Sequence, residues 1–323
     1  MRGLVMLTMS LPVQANPPSD AEERPSVQVH LTLDDLPWMV QRGHGVPGSA
    51  QEIREQNKAL AATFAAHQVK VSVFFTCERI RPEDESVQIW MNGGHTVGNH
   101  TWSHPKLSAV GTEVWLADAK KCHDLLEQSM GTAPTWLRYP YLGYGQDQDQ
   151  RDDVTARLAA FGERTAPVTI ATTEWLYAYT YRRAIRTGDK ELKRQVVAGW
   201  HQHMDAALQY GVDAAAQVPG RNVPQTVLLH MNELVVDEVD RLIARWKGKN
   251  IAFIDLETAM ADPVFHMENR YTGPAGVSWL RRIRDPSDYD KYWFGFEEGR
   301  VQEKFGGIDP ADKGIPKPTT STE

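Results

Sequence analysis

Short runs of β-branched and aromatic residues alternate along the chain with longer stretches in which apolar residues recur every three or four positions. Val27-Gln28-Val29-His30-Leu31-Thr32-Leu33 alternates like a strand and stops at two acids, Asp34 and Asp35. Residues 51–67 carry Leu60, Phe64 and neighbouring alanines at helical spacing. A second strand is predicted over 69–75, a helix over 86–92, and a third strand over 95–98. Residues 112–130 read as a helix with Thr112 at its N-cap. A strand at 135–138, a helix at 152–161 and a strand at 165–171 follow. Strand 226–230, helix 235–246 and strand 251–256 complete the alternation. Strands separated by helices predict an α/β fold with a parallel sheet, a distorted (β/α) barrel of about seven strands. Chemistry is then expected at the C-terminal ends of the strands.

Two stretches depart from that rhythm. Residues 177–217 are charged, alanine-rich and free of Pro, which predicts a helical hairpin broken at Gly188-Asp189 and inserted in a barrel domain over 27–262. From 263 to 304 the chain turns irregular and aromatic, through Tyr271, Trp279, Tyr289, Tyr292, Trp293 and Phe296, as expected for an extension packing on the barrel. A disordered tail is expected over 305–323. At the other end, Arg2 precedes about ten mostly apolar residues and a small-residue end, the pattern of a secretory signal over 1–15, with a linker over 16–26. The protein is therefore expected to be exported, to the periplasm or beyond.

Composition narrows the function classes. The 323 residues are 41% hydrophobic with a formal charge of −7, so no basic field exists to hold nucleic acid or an anionic membrane. Beyond the first residues, no window is long and apolar enough to predict a membrane span. Ten Trp and ten Tyr favour surfaces that stack on flat or sugar-like ligands. Two cysteines, Cys77 and Cys122, cannot make a disulfide scaffold or a cysteine-only metal site, and are expected to be free and buried. Oligomeric state is not readable.

The candidate chemistry lies where strands are predicted to end. Adjacent carboxylates at Asp34-Asp35 repel one another and call for a nearby cation, although such a pair is usually a solvated loop. Asn99-His100-Thr101-Trp102-Ser103-His104 spaces two histidines four apart, as on one face of a helical turn, where both imidazoles reach one ion. Asp35, His100 and His104 would form a three-ligand site with room for water, a catalytic rather than a structural geometry that suits zinc. Trp136-Leu137-Arg138-Tyr139-Pro140-Tyr141 presents Arg138, which can hold one acid by a bidentate bridge or make an ordinary ion pair. Val227-Leu228-Leu229-His230 ends an apolar strand on a histidine, for which a satisfied core role is the bland reading. Four separated strands thus end in groups that one metal-assisted hydrolysis requires.

In these motifs the chain resembles the NodB-homology polysaccharide deacetylases of carbohydrate esterase type. Thr32-Leu33-Asp34-Asp35-Leu36-Pro37 matches their Thr-Phe-Asp-Asp-Gly-Pro motif, and His100-Thr101-Trp102-Ser103-His104 matches their His-Ser/Thr-x-x-His motif in full. Arg138-Tyr139-Pro140-Tyr141 matches Arg-x-Pro-Tyr, Leu228-Leu229-His230 echoes a Leu-x-x-His motif, and Glu174-Trp175 corresponds loosely to Asp-Trp. The five fall in the family's order between Val27 and Ala261. The resemblance implies Asp34 as general base, oriented by Arg138. It implies one divalent ion on Asp35, His100 and His104, zinc first, with cobalt, nickel and manganese as alternatives. Oxyanion stabilisation would come from the Tyr141 backbone N–H. His230 would be the general acid, tuned by Glu174, and Trp175, Leu228 and Pro140 would line the substrate pocket.

The implied reaction is removal of acetyl groups from N-acetylated amino sugars or their oligomers and polymers. Alternatives are an O-acetyl carbohydrate esterase, a hydrolase of small amides or cyclic imides, and an inactive carbohydrate-binding protein. Three departures stand out. Leu36 replaces a glycine and is expected to bulk the loop after the ligand. Glu174 is one methylene longer than Asp. Some 55 residues separate Trp175 from His230, and with the aromatic extension they would wall the site into a pocket for small or terminal substrates.

Overall fold

The computed structural model describes residues 27–39 and 49–285. The expected signal, linker and tail, and the part of the extension from 286 to 304, lie outside the described residues. In chain order the elements are β1 (Val27–Leu36), α1 (Ala50–Ala66), β2 (Ser72–Phe75), α2 (Ser86–Asn92), β3 (Thr96–Asn99), α3 (Leu107–Val110), α4 (Thr112–Met130), β4 (Trp136–Leu137), α5 (Gln148–Ala160), β5 (Arg164–Thr165), β6 (Ile170–Ala171), α6 (Trp175–Thr187), α7 (Lys190–Gln217), β7 (Gln225–His230), α8 (Glu233–Lys247), β8 (Ile251–Phe253), α9 (Leu256–Met260) and α10 (Trp279–Arg282).

All strand pairs are parallel, and seven strands form one path, β5-β4-β3-β2-β1-β7-β6, curled as a distorted half-barrel with helices around it. β1 is the hub. Val29 pairs both Gln225 of β7 and Phe253 of β8, so β8 takes the edge of β1 that β2 occupies farther along. From Val29 onward β1 is buried on both faces, as a central parallel strand must be. Leu31 and Leu33 enter the main apolar core with Leu60 and Phe64 of α1, Val73 and Phe75 of β2, and Leu242 and Trp246 of α8. Gly98 permits tight packing of β3, since a Cβ there would sit 2.6 Å from the Phe74 ring and 2.8 Å from the Trp136 carbonyl oxygen.

The hairpin breaks where expected: Gly188 closes α6 in the left-handed conformation and the Asp189 side chain caps α7. It forms part of the core, because Tyr181, Trp200 and Met204 are fully buried in the main cluster. Three local expectations change. Gly111, without a side-chain cap, precedes α4 instead of Thr112. The strand expected over 165–171 is split into β5 and β6, with Pro167 between them removing a ladder donor. Cys77 and Cys122 are not free: they form a disulfide with Cα atoms 5.3 Å apart, inside the normal range.

Candidate active site

β1 delivers two neighbouring carboxylates by means of a bulge. Leu33 pairs Val73 and Leu36 pairs Phe75, so β1 fits one extra residue against β2. Even alternation would send Asp34 and Asp35 to opposite faces. The bulge, with Asp35 at φ 67°, turns both toward the rim. Leu36 is fully buried in the core. It therefore does not bulk the groove as expected.

Arg138 reaches Asp34 through one nitrogen, with Nη1 3.3 Å and 3.5 Å from the two oxygens. This is not the expected two-pronged bridge, because Nη2 donates to Thr32 Oγ1 at 3.2 Å and Nε to the Ala166 carbonyl at 2.8 Å. Burial pushes Asp34 up to about 6, with Arg138 and His230 opposing. Burial acts on Asp35 in the same sense, but His104 and Arg79 outweigh it and hold that carboxyl well below the usual range. Arg79 Nη1 donates to Asp35 Oδ1 at 2.9 Å and Thr76 Oγ1 does so at 3.4 Å.

The two histidines follow β3 on a loop, not on the helical turn their spacing suggested. Thr101 and His104 have φ of 67° and 60°, and Asn99 Oδ1 accepts from Thr101 N at 2.7 Å. Asp118 of α4 fastens the loop, accepting from Trp102 N at 2.8 Å, Ser103 N at 3.0 Å and Ser103 Oγ at 2.7 Å. His100 Nδ1 lies 2.8 Å from the Arg138 carbonyl, which leaves Nε2 facing the carboxylates. His104 Nε2 stands 3.7 Å from Asp35 Oδ1, and ligand atoms of Asp35, His100 and His104 all lie within 4.8 Å of one another. Bonds of about 2.0–2.2 Å to a common ion need donors roughly 3–4 Å apart, so modest closure suffices. Burial lowers both imidazoles, which keeps them neutral, as metal ligands must be. The donor set fits a divalent ion.

On the opposite side, His230 pairs in register with Asp34. Its Nδ1 lies 3.0 Å from Oε1 of Glu174, whose side chain is fully buried. The longer acid therefore still reaches. Asn232 caps α8 through Val235 N and also donates to Glu174 Oε2 at 3.3 Å, tying the pair to a helix start. Burial presses His230 down, but Glu174, with Asp35 and Asp34, leaves it raised. Leu228 packs with Leu142 and Val168, and Trp175 opens α6 edge-on to Tyr179 at 5.5 Å. Pro140 and Tyr141 form a 3₁₀ turn after β4. Tyr141 has φ 58°, is 59% exposed as a residue, and its ring stands edge-on to His104 at 4.5 Å. Asp34, Asp35, His100, Arg138 and His230 thus sit at or just past the ends of β1, β3, β4 and β7. His104, Pro140, Tyr141 and Glu174 lie on the turns that follow β3, β4 and β6, while Trp175 opens α6 and Leu228 lies within β7. Arg79, Thr76, Asp118 and Asn232 were not anticipated. Only Asn232 had a local signal, an Asn just before an amphipathic helix.

Residues 21–159 match the profile of the family described as polysaccharide deacetylase. The matched stretch includes Asp34-Asp35, His100–His104 and Arg138–Tyr141, the motifs on which the resemblance to the NodB-homology polysaccharide deacetylases rests. A peptidoglycan-N-acetylglucosamine deacetylase of Bacillus cereus is 35% identical over 75 residues, 23% of this chain and 27% of that protein. Peptidoglycan-N-acetylmuramic acid deacetylase of Bacillus subtilis is 31% identical over 119 residues, 37% of this chain and 22% of that protein. The matches thus span about a quarter of these curated relatives' length. The crystal structure of a mutant of a CE4 family pseudoenzyme superposes with a TM-score of 0.50 at 15% identity, covering 73% of this chain and 68% of that one, a likeness of fold.

Proposed function

We propose that the protein is a divalent-metal-dependent hydrolase that removes acetyl groups from N-acetylated amino sugars, their oligomers or polymers. The observation that carries this reading is the gathering of Asp35, His100 and His104 beside a second carboxylate, with a carboxylate-paired histidine across from them. The names of relatives, peptidoglycan deacetylases and a chitin deacetylase of Cryptococcus neoformans 24% identical over 114 residues, supply the substrate class. That relative's match covers 33% of this chain and 24% of its own length.

Asp35, His100 and His104 would hold the ion, zinc by preference for this donor set. A bound divalent ion polarises the acyl carbonyl and eases deprotonation of water. Asp34, charged above about 6, takes the proton of the attacking water as general base, and Arg138 keeps its carboxylate aimed. The Tyr141 N–H donates to the oxyanion. His230 then protonates the leaving amine, its charged form supported by Glu174. Trp175, Leu228 and Pro140 flank the acyl group. The buried Cys77–Cys122 disulfide suits an oxidising compartment and supports export.

Acetate release from N-acetylglucosamine oligomers, with metal content measured on the same sample, tests the reading. Asp34→Asn should lose at least about 100-fold in rate while keeping its metal. Turnover undiminished in that variant would remove Asp34 as the base. Acetylated xylan as the better substrate would favour an ester, and turnover surviving complete chelation would favour the amide and imide hydrolases.

A further inference from the structure

The Tyr141 peptide is held from outside the barrel by the segment after α9. Tyr141 and its neighbour Leu142 both have positive φ, 58° and 50°, a pair of conformations that non-glycine residues keep only where the surroundings over-determine them. Two contacts do so here. Arg282 of α10 is 1% exposed and donates from Nη2 to the Leu142 carbonyl at 2.6 Å. Its guanidinium lies 3.8 Å from the Tyr144 ring centroid and 5.4 Å from that of Tyr271. Tyr144 in turn stacks on Tyr139 at 4.5 Å, and Tyr139 on Trp115 of α4 at 4.9 Å, so Arg282 seats the turn against a rigid aromatic column. On the other side Gly276 lies so near the Tyr141 carbonyl that a Cβ would stand 1.8 Å from its oxygen.

The segment is itself fixed at several points. Arg151 Nη1 donates to the carbonyls of Asn269 at 2.9 Å and Tyr271 at 3.2 Å. Arg270 N and Tyr271 N donate to the Arg282 carbonyl at 2.8 Å and 3.2 Å. Trp279 donates from its backbone N to Val168 and from Nε1 to the Val264 carbonyl at 2.7 Å. Val168 in turn packs on Leu142 and Leu228. The segment itself lies beyond the stretch that matches the family profile.

We infer that the segment from Asn269 to Arg284 is a strap that fixes the oxyanion-binding peptide of Tyr141, with Arg282 as a positioning residue and Gly276 as the close-contact point. Arg282 touches no substrate atom; it acts through the Leu142 carbonyl and sets where the Tyr141 N–H points. This rests on the deacetylase reading for its catalytic consequence but not for its structural one.

Arg282→Met, Arg282→Lys and Gly276→Ala in the full chain test the strap. For Arg282→Met, kcat for acetate release should fall roughly 10- to 100-fold, the scale of a misplaced oxyanion donor, with KM within about threefold and metal content unchanged. Arg282→Lys, which keeps a donor for the Leu142 carbonyl, should recover much of that loss. Gly276→Ala should reproduce the kcat loss from the opposite side and serves if Arg282→Met does not fold. Hydrogen exchange at the amides of Leu142 and Gly143, which donate to the carbonyls of Tyr139 and Pro140, should quicken at least about tenfold in the weakened variants while β1 and β7 stay protected. Unchanged kcat together with unchanged exchange would overturn the strap, as would exchange that quickens throughout the sheet. If the wild-type protein releases no acetate, the deacetylase reading fails and exchange alone decides: acceleration confined to residues 140–144 upholds the strap, and none overturns it.

Discussion

His30 lies on β1 two residues before Thr32 and four before Asp34 and serves the fold instead of the chemistry. Its Nε2 meets Ser72 Oγ at 2.8 Å and its Nδ1 the Ile254 carbonyl at 2.9 Å, while burial holds it down to about 4. The folded protein therefore keeps this imidazole neutral where the unfolded chain, near 6.5, takes up a proton. Between those values the unfolded state binds more protons, so stability falls as pH drops through that window and is fully present above it. At about 1.4 kcal/mol per tenfold in proton affinity, His30 alone costs roughly 3 kcal/mol by pH 4. Denaturant midpoints at pH 7.5 and pH 4.5 should converge in His30→Gln relative to wild type. Glu174 acts in the opposite sense on His230, whose pKa it raises against burial. If His230 is the general acid, activity declines as pH rises through that pKa. Glu174→Gln should move the alkaline limb of the kcat profile to lower pH and reduce kcat by about 100-fold or more. An alkaline limb that stays in place would free His230 from that role.

At the scale of elements, the disulfide joins the turn after β2 to α4 across a sequence separation of 45. α4 also supplies Asp118 to the histidine loop, and Cys77 N donates to the Thr101 carbonyl of that loop at 3.1 Å, so α4 braces it both directly and through the disulfide. Replacing both cysteines by Ser should lower stability by about 2–4 kcal/mol, read from urea unfolding, and leave the aligned β1–β7 half of the site intact. Such couplings mark what the sequence could carry. The strand–helix alternation, the His100/His104 spacing and the break at Gly188 were legible because each depends on residues a few positions apart. The bulge at Asp35 was not: alternation places Asp34 and Asp35 on opposite faces, and only the register against β2 reveals the extra residue. Arg79 and Asp118 escaped for a related reason, since their partners lie 44 and 15 or 16 residues away. β5 and β6, two residues each, are too short for any period to register.

Across the whole molecule, an ion gripped by groups from β1 and β3 should stiffen the barrel. Removing it with a chelator should abolish turnover and lower the unfolding midpoint. Restoring zinc to a free concentration of about 100 Kd should return roughly 2.7 kcal/mol. Readdition without a shift in the midpoint would place the ion elsewhere. The hairpin contributes on the same scale: Trp246 of α8 donates to Asp205 of α7 at 2.8 Å, and Trp200 and Met204 fill the main core. Replacing 175–217 by a short linker should leave no cooperative unfolding transition, rather than a smaller active barrel.

The position of β1 also shapes how the protein is made. A ribosome finishes this strand well before its neighbour, since Thr32 bonds the carbonyl of Val227, 195 residues later. At about 5–20 residues per second, the emerging segment waits roughly 10–40 s for β7. During that interval the edge of β1 that β7 will cover, from Val29 to Asp34, lacks its partner strand, and cellular chaperones meet the nascent polypeptide in that state.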